Sequence, residues 1–302
     1  MNQSVFKELI SKFSESVEDL LPKDEEINEV FSKLQSQYQT QDPWGLDLEY
    51  CKKAIRLLMP LYKNYFKVRV FGADNISNEP YIFTSNHSGQ IAIDGLLITM
   101  ALALEADDPR IARPMIERFM ADLPFITEAA FRCGAVLGDR TNCLQLLKMQ
   151  QSVLVFPEGV RGVSKSTNDF YKLQKFTKGF YRMAISSNTK IVPIAVVGAE
   201  EIYPFVYQAK GLAKMLNIPA LPITPFFPWL GALGAIPLPS PIDIYIGTPY
   251  QIPPELTENA PDKDINHHIN QIENEIDNML KAGLKKRRNF IDPKEILKKF
   301  KL

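Results

Sequence analysis

A histidine and an aspartate seven positions apart carry the strongest chemical signal in this sequence. His87 lies in Ser85-Asn86-His87-Ser88-Gly89-Gln90-Ile91-Ala92-Ile93-Asp94-Gly95, a polar turn that follows the apolar run Tyr81-Ile82-Phe83-Thr84 and precedes an apolar stretch from Ile93 to Leu104. The first run is aromatic and β-branched and reads as a strand, Ser88-Gly89 breaks it, and the second run carries helix formers. His87 is thereby placed just past a strand end, where α/β folds collect reactive groups. An imidazole with an ordinary pKa near ~6.5 accepts a proton from a hydroxyl at neutral pH, and a carboxylate on its far nitrogen fixes the tautomer and stabilises the imidazolium. Asp94 is the carboxylate within reach. The competing reading is a turn histidine satisfied by local backbone, and three further motifs weigh against it.

Gly134-Ala135-Val136-Leu137-Gly138-Asp139-Arg140 ends an apolar strand with an arginine. Val155-Phe156-Pro157-Glu158-Gly159-Val160-Arg161-Gly162 continues a short strand over Ser152 to Phe156, which Pro157 stops by removing a backbone donor. Ile191-Val192-Pro193-Ile194-Ala195 is the third. With parallel neighbouring strands, Glu158 and Arg161 project into the crevice of His87, and Arg140 reaches the same rim. Two guanidiniums beside a histidine suit an oxyanion such as a phosphomonoester, which arginine grips bidentately. The alternative for each arginine is a structural ion pair with Asp139 or Glu158. No G-x-S-x-G is present and no cysteine lies beside His87, so the chemistry predicted is direct attack by an activated hydroxyl, without a covalent enzyme intermediate.

In order and spacing these blocks resemble those of the glycerolipid acyltransferases, the family of glycerol-phosphate and lysophosphatidate acyltransferases. The resemblance runs from about Phe71 to Pro249, and Phe-Pro-Glu-Gly followed two residues later by Arg is its most specific block. It implies that His87 is the general base on an acceptor hydroxyl, oriented by Asp94, and that the hydroxyl attacks the thioester of an acyl-CoA or acyl-carrier protein. It also implies that Arg140 and Arg161 hold the acceptor's phosphate while Glu158 and Gly159 shape its pocket. Backbone donors around Ser88 and Gly89 are candidates for the oxyanion. No cofactor and no metal is called for beyond the acyl donor as co-substrate. The usual first block is H-x-x-x-x-D, whereas six residues separate His87 from Asp94 here, and Ala92 stands at the usual position. A wider loop through Ser88-Gly89-Gln90 must therefore return the carboxylate to the ring.

The elements that position these groups form an α/β fold: a mainly parallel central sheet flanked by helices, with N-terminal and C-terminal helical extensions. Strands are expected near 66–71, 81–85, 134–137, 152–156, 191–197 and 242–246, with the active loops at their carboxyl ends. Three segments are read: amphipathic helices over 1–45, an acyltransferase domain over 46–260, and a polar, basic helical segment over 261–302. Phe6, Leu9, Ile10, Phe13, Val17, Leu20 and Leu21 recur at helical spacing, as do Ile27, Val30, Phe31 and Leu34 after Pro22. A third helix runs from Asp47 to about Met59, limited by Pro60. A helix is expected over Gln174 to Ser187, and a long one over Asp262 to Leu284, packing over the sheet edge.

Composition narrows the class. The 302 residues are 45% hydrophobic with zero formal net charge, which gives no sign of nucleic acid as a partner. Cys51, Cys133 and Cys143 are odd in number and lack metal-ligand spacing, pointing to a reducing compartment. Glu8, Glu15, Glu18 and Asp19 interrupt the N-terminal stretch, which does not read as a signal peptide. Charge is nevertheless dipolar: residues 1–50 carry 11 acids against 4 lysines, and residues 281–302 carry 9 basic residues against 2 acids. That basic end suits anionic headgroups, a solvated tail, or the acidic helices. Between Leu216 and Ile246, Pro225-Phe226-Phe227-Pro228-Trp229-Leu230-Gly231-Ala232-Leu233-Gly234-Ala235-Ile236-Pro237-Leu238 is uncharged but too proline-rich for a spanning helix. It reads as an interfacial or acyl-lining loop, with burial inside the domain the competing reading.

The expectation is thus a cytoplasmic acyltransferase, attached peripherally or monotopically to the inner membrane face. It would act on a lysophospholipid or glycerol-3-phosphate, with an acyl-carrier protein a possible partner. The rivals are an acyl-thioester hydrolase, which would release thiol without acceptor, and a non-catalytic peripheral lipid-binding relative, which would bind vesicles without turnover.

Overall fold

In a computed structural model, residues 24–38, 42–88, 92–118, 126–203, 206–209 and 236–288 are described, with a few positions between 211 and 234. Helices α1 (Asp24–Gln37) and α2 (Leu48–Pro60) precede β1 (Arg69–Phe71), β2 (Tyr81–Ser85), α3 (Ile93–Leu104), β3 (Arg113–Ile116) and α4 (Ile126–Arg132). Then come β4 (Val136–Leu137), α5 (Arg140–Lys148), β5 (Val153–Val155), a single turn α6 (Val160–Val163), α7 (Gly179–Ser187) and β6 (Lys190–Val197). A two-stranded ribbon of β7 (Tyr207–Gln208) and β8 (Pro222–Ile223) is followed by β9 (Asp243–Ile246) and α8 (Asp262–Lys285).

The seven-stranded sheet has the order β1-β9-β6-β2-β5-β3-β4. Strands β6, β2, β5, β3 and β4 run parallel, while β9 is antiparallel to β6 and carries β1 beside it. The mainly parallel sheet is as expected. Strand β2 is buried at all five positions between β6 and β5, which is why its sequence reads as a continuous apolar run rather than an alternating one. One face is covered by α1, α2 and α3, whose Phe31, Ile55 and Leu97 pack with Phe83, Val192 and Val196. The other is covered by α5, α7 and α8, whose Leu146, Phe180 and Ile269 pack with Ile82, Ile191 and Ala195. Parallel direction puts the segments after β2, β5, β3, β4 and β6 along one edge, so His87, Glu158, Glu117, Arg140 and Glu200 all follow carboxyl ends there.

Several boundaries differ from expectation for local reasons. The α-helix ends at Pro60 as expected, and the chain continues as one turn of π-helix over Leu61–Tyr65. The strand expected from residue 66 starts at Arg69, since Lys67 sits at φ 45, which no strand residue adopts. β3 was not expected: Arg113-Pro114 hides it. Arg113 is fully buried, donating to the Gly134 carbonyl at 2.6 Å and paired with Asp42. The helix over 174–187 begins only at Gly179. α8 lies across the sheet face over β6 rather than its edge, with Ile265, Ile269, Ile272, Ile276 and Leu280 buried in the core. The helix expected around Phe6 to Leu21 falls outside the described residues.

Candidate active site

His87 leaves β2 two residues beyond its end, and its ring stacks on Phe156 with centroids 4.0 Å apart and planes 19° off parallel. Its Nδ1 meets Asp94 Oδ2 at 2.8 Å. The longer spacer therefore still closes the pair. Asp94 is the second residue of α3, fully buried, where the amino end of the helix favours a carboxylate. Its Oδ2 also accepts the Ser88 N–H at 2.8 Å and the Ser88 hydroxyl at 3.4 Å, and Oδ1 accepts the Gly95 N–H at 2.8 Å. A buried carboxylate so satisfied stays in place as an acceptor. It accepts the hydrogen bond of the Nδ1–H of a neutral imidazole, which leaves Nε2 as the ring's basic nitrogen.

The Phe156-Pro157-Glu158-Gly159 turn follows β5 and is closed by the Gly159 N–H on the Phe156 carbonyl at 2.9 Å. Gly159 holds φ 59 and ψ −151, a conformation open essentially to glycine alone. Glu158 is buried at 1% exposure, so it does not face an open pocket. Its Oε1 accepts the His87 N–H at 2.8 Å, and its Oε2 accepts the Gln174 N–H at 2.7 Å and pairs with Lys165 at 3.1 Å. Glu158 thus braces the histidine's main chain.

The other expected site residues fall unevenly. Arg161 stands on α6 next to this turn, exposed, and donates to the Lys175 carbonyl at 2.7 Å. Arg140 begins α5 beyond β4, three strands from β2, or ~14 Å across the sheet at ~4.8 Å per strand. Its guanidinium is held by Glu258 at 2.7 Å and Ser186 at 2.9 Å. The ion-pair alternative weighed for it is realised with Glu258; Asp139 is engaged as the cap of α5, accepting the Asn142 N–H at 2.8 Å. The Ser88 amide, a candidate oxyanion donor, points at Asp94 instead, and Gly89 lies outside the described residues.

Sequence reasoning missed four contributors. Phe156 supplies the ring's packing partner. Gly162 lies under the site so closely that a Cβ there would stand 2.6 Å from His87 Cβ and 3.0 Å from Glu158 Cβ. Lys165 and Glu200 form a buried ion pair at 3.1 Å beside Glu158. Burial pushes the Glu200 carboxyl up to about 7; Glu158 adds to the rise, and Lys165 and the Tyr171 N–H oppose it. The basic C-terminal run is open to anionic headgroups, a solvated tail or the acidic helices. Two of its residues are structural: Arg287 grips Glu201 with two nitrogens, and Arg288 pairs with Asp243 at 2.6 Å.

Residues 67–197, which hold every motif above, match the Acyltransferase family. An uncharacterized protein of Mycobacterium leprae is 34% identical over 254 residues, covering 83% of this chain and 69% of its own length. The chain belongs to the Acyltransferase family. The chloroplastic 1-acyl-sn-glycerol-3-phosphate acyltransferase of Arabidopsis thaliana is 27% identical over 143 residues, which is 46% of this chain and 38% of that protein. A crystal structure of the 1-acyl-sn-glycerophosphate acyltransferase from Thermotoga maritima aligns over 79% of this chain and 84% of that one, with a TM-score of 0.47 at 14% identity. Within this acyltransferase, the His87–Asp94 pair and the Glu158 turn occupy one end of the parallel strands.

Proposed function

We propose that this acyltransferase moves a fatty acyl group from acyl-CoA or acyl-carrier protein to the hydroxyl of a lysophosphatidate-like lysophospholipid or of glycerol-3-phosphate. The observation that carries the reading is the 2.8 Å contact of His87 Nδ1 with a buried, fully satisfied Asp94. Nε2 takes the proton as the acceptor oxygen attacks the thioester carbonyl. The tetrahedral intermediate collapses with loss of thiolate, and the imidazolium returns the proton to the sulfur. Asp94 stabilises the imidazolium and remains ionised throughout.

Arg161 is the phosphate-facing arginine of this reading; Arg140 must leave Glu258 to join it. That engagement favours one second reading, an acceptor without a phosphate such as a neutral glyceride. Attachment to a membrane surface is part of the proposal. It is supported by the exposure of Tyr207, Trp229, Leu230 and Ile236 in the uncharged segment and its ribbon. Among the described residues no helix is long and apolar enough to cross a membrane.

The test is thiol release from long-chain acyl-CoA in micelles across an acceptor panel. Release that requires lysophosphatidate or glycerol-3-phosphate supports the proposal. Release with a neutral glyceride alone moves the chain to the second reading, and release without any acceptor makes it a hydrolase.

A further inference from the structure

The buried lysine beside the catalytic turn is explained neither by the motif chemistry nor by any acceptor contact. Lys165 follows α6, and its side chain is 3% exposed. Withdrawing an ammonium from water is costly unless all its donors are met. Among the described residues Nζ donates to Glu200 Oε1 at 3.1 Å and to the main-chain oxygen of His87 at 3.3 Å, and it pairs with Glu158 Oε2 at 3.1 Å. An ammonium presents its donors around one nitrogen, a geometry that the planar fork of arginine does not reproduce.

Two of the three acceptors lead back to the same residue. Glu158 accepts the His87 N–H at 2.8 Å while Lys165 donates to the His87 carbonyl, and the two side chains pair with each other. The N–H and C=O of His87 are thus held in one closed ring of two charge-assisted hydrogen bonds and an ion pair. We propose that Lys165 is a positioning residue: with Glu158 it clamps the His87 main chain so that the imidazole is delivered between Asp94 and the acceptor hydroxyl. Glu200 supplies the second carboxylate that keeps the ammonium in place. The inference rests on the reading of His87 as the base. Charge-assisted bonds of this kind are the strong ones, and displacing a base by ~1 Å costs ~100-fold in rate.

The test compares Lys165→Met with wild type, and Lys165→Met/Glu200→Gln with Glu200→Gln, the second host carrying one buried carboxylate fewer. Folding is checked by near-ultraviolet circular dichroism, and kcat and KM are measured for acyl donor and acceptor. The chain has 3 histidines, so the His87 ring signal in 15N-histidine-labelled protein is assigned by its loss in His87→Ala. The clamp predicts a fall in kcat of tenfold or more in a folded variant, KM within twofold, and faster solvent exchange of the His87 Nδ1 proton. Lys165→Arg is expected to fail likewise. A folded double variant with kcat within twofold of its host, or with unchanged exchange, overturns the proposal. So does failure of the variant to fold in both hosts, which assigns Lys165 to the framework alone. If wild type transfers no acyl group, the functional reading fails, while the ring-exchange measurement still decides the clamp.

Discussion

Replacing Gly162 by alanine adds one methyl group at the floor of the site. The new Cβ would stand 2.6 Å from His87 Cβ, 3.0 Å from Glu158 Cβ and 3.2 Å from the His87 carbonyl oxygen. Carbon atoms pack at ~3.5–4.0 Å, so the histidine must retreat by about 1 Å. Glu158 and Asp94 hold it on the other sides. Overpacking of this kind costs about 1–3 kcal/mol, of which alanine's better helix propensity returns up to about 1 kcal/mol. The protein should therefore fold with a small loss of stability, whereas a ~1 Å shift of the base lowers kcat by ~100-fold. Gly179→Ala is the control, since a Cβ there meets nothing within 4 Å, and its activity should match wild type. The assay is acceptor-dependent thiol release together with thermal unfolding. A folded Gly162→Ala enzyme with kcat within threefold of wild type would refute the argument that this contact sets the position of His87.

Four further outcomes are expected. Glu200 has its carboxyl raised to about 7 by burial. The stability that its protonated form supplies is complete below the unfolded value near 4.5 and is lost as pH rises through about 7, on the order of 3 kcal/mol in all. Urea unfolding of Glu200→Gln should lack that loss between pH 5 and 8, and an unchanged pH profile would contradict the assignment. Arg161→Ala should raise the KM of a phosphate-bearing acceptor by tenfold or more, as loss of a charged hydrogen bond worth about 1.5–3 kcal/mol requires, with the acyl-donor KM unmoved. Arg140→Ala, which breaks an exposed pair with Glu258, should change the acceptor KM by less than threefold. Vesicle co-sedimentation should weaken when Trp229 and Leu230, 76% and 56% exposed, are both replaced by serine; undiminished binding would remove this segment from the membrane contact.

Legibility in the sequence followed physical cause. Buried strands such as β2 and β5 show as apolar runs because parallel strands are covered on both faces, and turn chemistry places His87 and Glu158 at their ends. The wider H-x6-D spacer was readable as a loop requirement, which the 2.8 Å contact meets. Burial of charge was not readable. Arg113-Pro114 looks like a loop, yet Arg113 sits in the sheet with its partners supplied by Gly134 and Asp42. Lys165 in Gly-Val-Ser-Lys looks like a solvated turn, and its acceptors come from positions 7, 35 and 78 residues away. Arg140 carries the motif's residue type, but its partner Glu258 lies 118 residues on. Local pattern names the elements; long-range pairing decides which charges they use.

The most direct test of the central claim is acceptor-dependent thiol release from acyl-CoA by wild type, His87→Ala and Asp94→Asn. The account predicts release that needs the acceptor and is abolished in His87→Ala. In Asp94→Asn it should fall by ~10⁴, because an amide NH2 that donates to Nδ1 favours the wrong tautomer. Acceptor-dependent release that persists at wild-type rate in His87→Ala would contradict it.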